Sequence, residues 1–336
     1  MNVLQIKYQR YLFLLLFIGV ILVFAANLAW GSVPLQLEQL WNGLTGAESD
    51  PVTRTILLQI RMPRTLAAMI GGAALAAAGL VLQVFFRNPV VDAFVLGISS
   101  GSGLMVGLVM LAGVTFGFHG NLPMVTFLAA FTGALLVMVF VLFFSCRVQN
   151  VVTLLVAGLV FGYLCNAINS LLIAFAQKEQ LQNYIHWSLG SFAGVTWPQV
   201  LVLAVVGVPA LMGTFILGKS LNALHLGEDY ARSMGVEIVR LRQLIIIMTS
   251  CLTAAVTAFA GPVAFVGLAV PHLGRLVFRT DDNRVLIPAV ILMGAIVTAG
   301  CDLAARSVMA PVELPLTALT SVIGAPVVIY LVLKGK

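Results

Sequence analysis

The segment Arg61-Met62-Pro63-Arg64 sets two guanidiniums three residues apart at the head of an apolar run, and Asp302 and Arg306 stand four residues apart near the tail of another. On helices these spacings put both members on one face. Guanidiniums so placed recognise carboxylates or phosphates through paired hydrogen bonds and make no covalent bonds. Arg61 and Arg64 suit either lipid phosphates or an acidic protein partner, and Asp302 with Arg306 suits an intrahelical ion pair. The neighbouring Pro311-Val312-Glu313-Leu314-Pro315 and the scarcity of other charges favour a shared surface of Arg61, Arg64 and Arg306 that receives an acidic partner.

Two other strings hold candidate chemistry. Gly97-Ile98-Ser99-Ser100-Gly101 resembles the serine loop of an intramembrane protease, with His272 as base. No second histidine or acidic orienter stands at a suitable place, and small hydroxyls at a helix start ordinarily cap or pack. The stretch from Gly261 to Arg275 carries two prolines and three glycines, which breaks a helix. Its His272 reads as a proton carrier or as a hydrogen-bonded structural residue beside Pro271. His119, His186 and His225 are dispersed, so no metal site is expected. Cys146, Cys165, Cys251 and Cys301 lack a C-x-x-C spacing and read as small packing residues.

The elements that position these residues must be membrane helices. A chain of 336 residues that is 61% hydrophobic and 9% charged is no ordinary soluble domain. The long apolar runs also exclude disorder, a disulfide scaffold and an outer-membrane barrel. The fold class is an all-α polytopic membrane protein with ten spans near 11–30, 62–82, 93–113, 123–145, 151–175, 198–218, 240–260, 265–279, 286–304 and 316–333. Lys7 and Arg10 before the run Tyr11 to Ala26 resemble a secretory signal, but the run extends to Trp30 and is taken as the first span. The third and eighth spans are glycine-rich or short and are expected to be partial helices inside the bundle. The second, with Gly71-Gly72-Ala73-Ala74-Leu75-Ala76-Ala77-Ala78-Gly79, lets neighbouring backbones approach and is expected at the centre.

Lysine and arginine set the orientation. With the N-terminus inside, thirteen of the 18 basic residues fall on cytoplasmic segments, and Arg54, Arg61, Arg64, Lys178 and Arg306 fall outside. Both termini are then cytoplasmic. The net charge of +6 is a topology signal, and no nucleic-acid partner is implied. Outside, Gln177 to Pro198 holds Trp187 and Trp197 and suits an interfacial helix. Inside, residues 219–240 give two short amphipathic turns broken by Gly227 and Gly235, a surface built to receive a partner. The chain reads as one permease domain over 1–336, with halves of roughly 1–197 and 198–336 whose five spans each would be inverted relative to one another.

The blocks Arg61 to Arg64, Gln83 to Gly101, Trp187 to Ser191, Leu226 to Val236, Gly261 to Arg275, Asp302 to Arg306 and Glu313-Leu314-Pro315 with Gly324-Ala325-Pro326 together resemble the type II ABC import permeases for iron chelates and vitamin B12. The resemblance covers nearly the whole chain. It implies a multi-pass subunit of the bacterial inner membrane, paired with a second permease subunit as a homodimer. Two ABC ATPase subunits and an external or periplasmic substrate-binding protein complete the assembly. Arg61, Arg64 and Arg306 would receive glutamates of the binding protein. Leu226, Gly227, Glu228, Ala231, Arg232, Met234 and Gly235 would couple to the ATPase, with Leu226, Ala231 and Met234 on its apolar contact face. Asn150, Val151, Val152 and Thr153 would form the cytoplasmic gate, although relatives carry small hydroxyls where Val151 and Val152 stand. No catalytic residue and no bound metal or cofactor is implied. The chain is expected to lack a phosphate-binding loop of the form G-x-x-x-x-G-K-[ST], so ATP and Mg would sit on the partner subunit. Iron-siderophore is the commonest cargo of such permeases, followed by haem and cobalamin, with oxyanions such as molybdate a minority. The competing class is an ion-coupled secondary transporter that uses Asp302, Arg306 or His272 as its coupling site.

Overall fold

The computed structural model describes residues 3–31, 42, 51–113, 122–148 and 150–334, and every regular element among them is helical. Helix α1 (Val3–Ala29) is followed by α2 (Pro51–Thr55), a π-helical turn (Ile56–Arg61) and α3 (Met62–Phe85). A 3-10 turn (Ala93–Leu96) leads into α4 (Ile98–Met110), then α5 (Leu122–Arg147), α6 (Val151–Phe175), α7 (Lys178–Ser188) and α8 (Trp197–Ile216). The rest is α9 (Gly218–His225), α10 (Glu228–Ser233), α11 (Ile238–Ala260), α12 (Val266–Phe278), α13 (Asn283–Ser307) and α14 (Leu316–Lys334). Each of the ten predicted spans falls on a helix. Among the described residues seven helices are long and apolar enough to cross a membrane, and Ile98–Met110, Val266–Phe278 and Leu316–Ile329 are shorter apolar ones.

Helix α3 is the hub, packed against α8, α11, α12 and α13. Its small residues explain why. A Cβ on Gly72 would lie 2.2 Å from the Gly294 carbonyl oxygen of α13, and one on Gly79 would lie 1.9 Å from the Gly267 carbonyl oxygen of α12. Backbone-to-backbone packing of this kind replaces the hydrophobic drive that lipid removes. One core draws on both halves of the chain, with Leu75 and Val81 packed together with Ile245 and Val290. By contrast α1, α6 and α8 present long exposed apolar faces, among them Leu15, Val156, Val160 and Leu201.

The two partial helices are each 13 residues long and each follows a residue in the left-handed region, Gly97 (φ 75) before α4 and Phe265 (φ 67) before α12. They run in opposite senses. Helix α4 leads toward the end of the bundle that holds α7, whereas α12 leads toward the end that holds α9 and α10. Pro271 has no N–H for the Gly267 carbonyl one turn back. Side chains make good the break: Gln83 Nε2 donates to the carbonyls of Gly267 (3.3 Å) and Leu268 (3.2 Å), and His272 Nδ1 lies 2.9 Å from the Leu268 carbonyl.

Candidate functional site

Chemically capable groups gather at the two ends of the bundle. At the first, the π-helical turn widens the backbone just before Pro63 and turns Leu57 and Arg61 inward. Arg61, Arg64 and Arg306 are only 4%, 9% and 6% exposed, so the expected outward-pointing charges are in fact interior ones. Arg64 grips Asp302 with two parallel bonds, Nε to Oδ2 at 2.9 Å and Nη2 to Oδ1 at 2.8 Å, and its Nη2 also donates to Glu313. Arg306 lies 3.9 Å from Asp302, and its Nη2 donates to the backbone and side-chain oxygens of Asn27, both at 2.7 Å. Arg61 Nη1 donates to the carbonyls of Leu28 and Ala29, which close α1. The intrahelical Asp302–Arg306 pair read from spacing is therefore the loose contact, and the tight partner of Asp302 comes from another helix. The network ties α1, α3, α13 and the Glu313 turn into one unit. Trp197, read as an interfacial anchor, donates its indole N–H to the Leu58 carbonyl at 2.7 Å beside the same turn.

At the opposite end, Gly227 (φ 124) and Gly235 (φ 83) break residues 219–240 into α9 and α10. The phase of α10 differs from the expected apolar contact face. Ala231 is wholly buried, whereas Leu226, Tyr230 and Met234, four residues apart, are 67%, 50% and 60% exposed. Tyr230 takes the outward place assigned to Ala231, because the helix starts only after Gly227. Arg232 is exposed, and Glu228 faces Arg242 (3.8 Å) across the elements instead of pairing with Arg232 along α10. Asn150 caps α6, its Oδ1 accepting from the Val152 amide at 2.8 Å, and Val152 and Thr153 are exposed. The side chain of Val151 lies outside the described residues, as does His119.

Sequence reasoning did not bring together the residues around a cavity of about 650 Å³ beside α9, lined by Gln83, Arg87, His225, Leu268, His272 and Arg275. These residues come from positions nearly 200 apart, and the signal that could have found them is their common placement at helix ends on one side. Arg275 Nη1 donates to Gln83 Oε1 at 2.8 Å, and Arg87 Nη2 donates to the Leu224 carbonyl at 3.2 Å. Burial, then the charges of Arg275 and Arg87, hold the His225 imidazole below its usual range despite the opposing pull of Asp281. Among the described residues no hydrogen bond joins His272 to Ser99 or Ser100, and no cluster of histidine, cysteine and carboxylate groups could hold a metal. His272 fits its structural reading.

Asp92 is buried where the chain turns toward α4, with Oδ1 accepting from the Ala93 amide at 2.6 Å and lying against Gly267. Burial pushes its carboxyl up to about 6, against the smaller opposing effect of that hydrogen bond. Because the folded pKa is raised, the native state holds a proton that the unfolded chain releases. Stability should then fall as pH rises from about 4 to about 6 and stay lower above that window. Asp92→Asn keeps the acceptor and loses the charge. Thermal unfolding in detergent should show the variant stabilised at pH 7.5, on the order of 3 kcal/mol, and indistinguishable from wild type near pH 4. Equal gains at both pH values would contradict a buried charge.

The expectation that no phosphate-binding loop pattern occurs needs correction. Gly213-Thr214-Phe215-Ile216-Leu217-Gly218-Lys219-Ser220 matches G-x-x-x-x-G-K-[ST] letter for letter. Its residues are helical, Gly213 to Ile216 closing α8 and Gly218 opening α9, with Leu217 also in the right-handed region (φ −70, ψ −10). A phosphate cradle needs a glycine loop between strand and helix with several free amides turned to one point. Here no glycine loop between strand and helix is present, since the string runs from the last turn of α8 directly into the first turn of α9, and Gly213 packs on Met248. The string is not a nucleotide site.

Comparison with known proteins agrees with this architecture. A family model described as the FecCD transport family matches residues 17–334. The vitamin B12 import system permease protein BtuC of Salmonella typhi is 39% identical over 278 residues, covering 82% of this chain and 83% of that protein, and its counterpart from Salmonella newport matches equally. A solved inward-facing conformation of a metal-chelate type ABC transporter superposes with a TM-score of 0.85 at 31% identity, covering 97% of this chain and 99% of that one. PsaBC from Streptococcus pneumoniae, solved with a Fab, shares the fold with a TM-score of 0.57 at 15% identity, covering 88% of this chain and 99% of that one.

Proposed function

Since this chain belongs to the FecCD transport family, we propose that it is the membrane-spanning permease of an ABC importer that carries a metal chelate into the cytoplasm. The Arg64 end faces outward, and α9 and α10 face the cytoplasm, as the distribution of basic residues favours. The observation that carries the reading is the exposed row Leu226, Tyr230 and Met234 on a segment too polar to span. In an importer it seats in a groove of a separate ATPase subunit, which binds ATP and Mg. A second copy of the permease covers the face of α6 that bears Val152, Thr153, Val156 and Val160, and the gate of Asn150 to Thr153 lies on the axis between the copies. This chain does no covalent chemistry. ATP-driven closure of the ATPase pair moves α9 and α10 and exchanges outward-open for inward-open packing, a two-state rearrangement biased by ligands.

The binding protein docks at the Arg64 end. Arg61, Arg64 and Arg306 already have partners within the chain, so an incoming glutamate competes with Glu313, whose side chain is about one-third exposed (35%), for Arg64. Iron-siderophores and corrinoids are both metal chelates within the proposed class. The vitamin B12 permeases to which the chain is similar make cobalamin the first cargo to test. An ion-coupled transporter fits less well: Asp302 is locked in a bidentate pair, and His272 Nδ1 is engaged by its own helix.

The test is assembly followed by uptake. Tyr230→Glu puts a charge at the centre of the exposed row without touching the core. Co-purification of an ATPase subunit with the variant should fall about tenfold or more, as loss of a central interface aromatic does, while membrane insertion and thermal stability stay at wild-type values. Full assembly of Tyr230→Glu, or uptake driven by a proton or sodium gradient alone, would overturn the reading.

A further inference from the structure

Arg242, in the second turn of α11, sits where three pieces of the cytoplasm-facing end meet, and its side chain is buried. Its Nη1 donates to the Val148 carbonyl at 2.7 Å and more distantly to the Ser145 carbonyl at 3.4 Å. These oxygens lie at the C-terminal end of α5, where carbonyls lack helical partners. Its Nη2 lies 3.8 Å from Oε1 of Glu228, the first residue of α10. Two residues beyond Val148, Asn150 caps α6 and opens the Asn150 to Thr153 segment. One planar fork thus spans from the start of α10 to the turn that carries the gate.

The carbonyl and carboxylate contacts of Arg242 differ in strength. The carbonyl bond is short and shielded, whereas the carboxylate contact is longer than a hydrogen bond, and Glu228 is about one-quarter exposed (28%). A displacement of α10 by a few tenths of an ångström therefore changes the outer contact first. It tightens or releases the pull on Arg242, which carries the end of α5 with it. Glu228 also suits the N-terminus of its own helix, so it moves with α10.

We propose that Arg242 is the positioning residue that passes movement of α10 to the α5–α6 turn, with Glu228 as its switchable partner. The inference rests on the ATPase-coupling reading above. The assembled permease–ATPase complex is examined by hydrogen exchange of the peptide covering residues 145–156, nucleotide-free and trapped with ATP and vanadate. Wild type should show an exchange rate in this segment that changes about tenfold between the two states. Glu228→Gln, which keeps size and loses charge, and Arg242→Lys, which keeps charge and loses the fork, should each abolish that change. A structural role alone would lower the unfolding temperature and leave the nucleotide-dependent change intact. If Arg242→Lys does not assemble, Glu228→Gln decides. A full-sized change in Glu228→Gln overturns the proposal, and so does the absence of any change in an assembled wild-type complex. Failure of wild type to assemble with any ATPase overturns the coupling reading itself.

Discussion

Asp302→Ala is expected to destabilise the folded chain by about 3–5 kcal/mol, the range seen when one partner of a buried ion pair is removed. Asp302 is 1% exposed and is the one carboxylate among the described residues that lies between Arg64 and Arg306. Without it three desolvated guanidiniums, Arg61, Arg64 and Arg306, share one end with Glu313 as the remaining acidic partner of Arg64, and the two-bond grip of Arg64 on α13 is gone. Thermal unfolding in detergent would show the loss directly. Asp302→Asn, which retains an acceptor but no charge, should fall between wild type and the alanine variant. The double variant Arg64→Met with Asp302→Leu removes both charges and should recover much of the loss, since apolar replacement of a buried pair is often neutral or better. A loss below about 1 kcal/mol for Asp302→Ala would mean the pair is as well solvated as a surface salt bridge.

Gly79→Ala should be at least as damaging. The added methyl would overlap the Gly267 peptide, at 1.9 Å from its oxygen, 2.4 Å from its carbonyl carbon and 2.5 Å from its Cα. No side chain is there to swing aside. Helix α12 would have to move off α3, taking with it the Gln83 and Arg275 contacts, and a loss above about 4 kcal/mol is expected. Gly207→Ala on α8 is the control. Its nearest neighbour is Ile70 Cγ2 at 3.6 Å, an ordinary contact, and alanine there should gain up to about 1 kcal/mol from helix propensity. Yield and unfolding temperature of the two variants separate a packing requirement from a general intolerance of glycine replacement. Equal behaviour would remove the close-packing account of α3.

The contrast between these sites shows what the linear sequence discloses. The apolar runs, the glycine and proline breaks and the partial helices were legible because each is a local property of ten to twenty residues. The ends of the molecule were less so. Arg61, Arg64 and Arg306 have the right types for recognising acids, but Asp302, 238 positions from Arg64, decides that they face inward. The outward face of α10 depends on where its first turn begins, and a shift of one residue at Gly227 exchanges Ala231 for Tyr230. The string Gly213 to Ser220 makes the same point in reverse, since its letters fit a phosphate loop and its backbone does not. In the sequence Arg242 is one more positive charge on a cytoplasmic segment. Its importance comes from the carbonyls of Ser145 and Val148, to which no residue type points.

The length of chain between Arg64 and Asp302 has a consequence for biosynthesis. At about 5–20 residues per second, the ribosome needs on the order of 10–50 s after making Arg64 before Asp302 exists, and all the intervening helices enter the membrane during that interval. The Arg64 guanidinium of the nascent chain must therefore wait in water or among lipid phosphates at the membrane surface. It is drawn inward only when α13 arrives, so its part of this end closes late. Chains stalled just short of residue 302 should stay open to protease there, whereas chains released a few residues beyond Glu313 should be sealed.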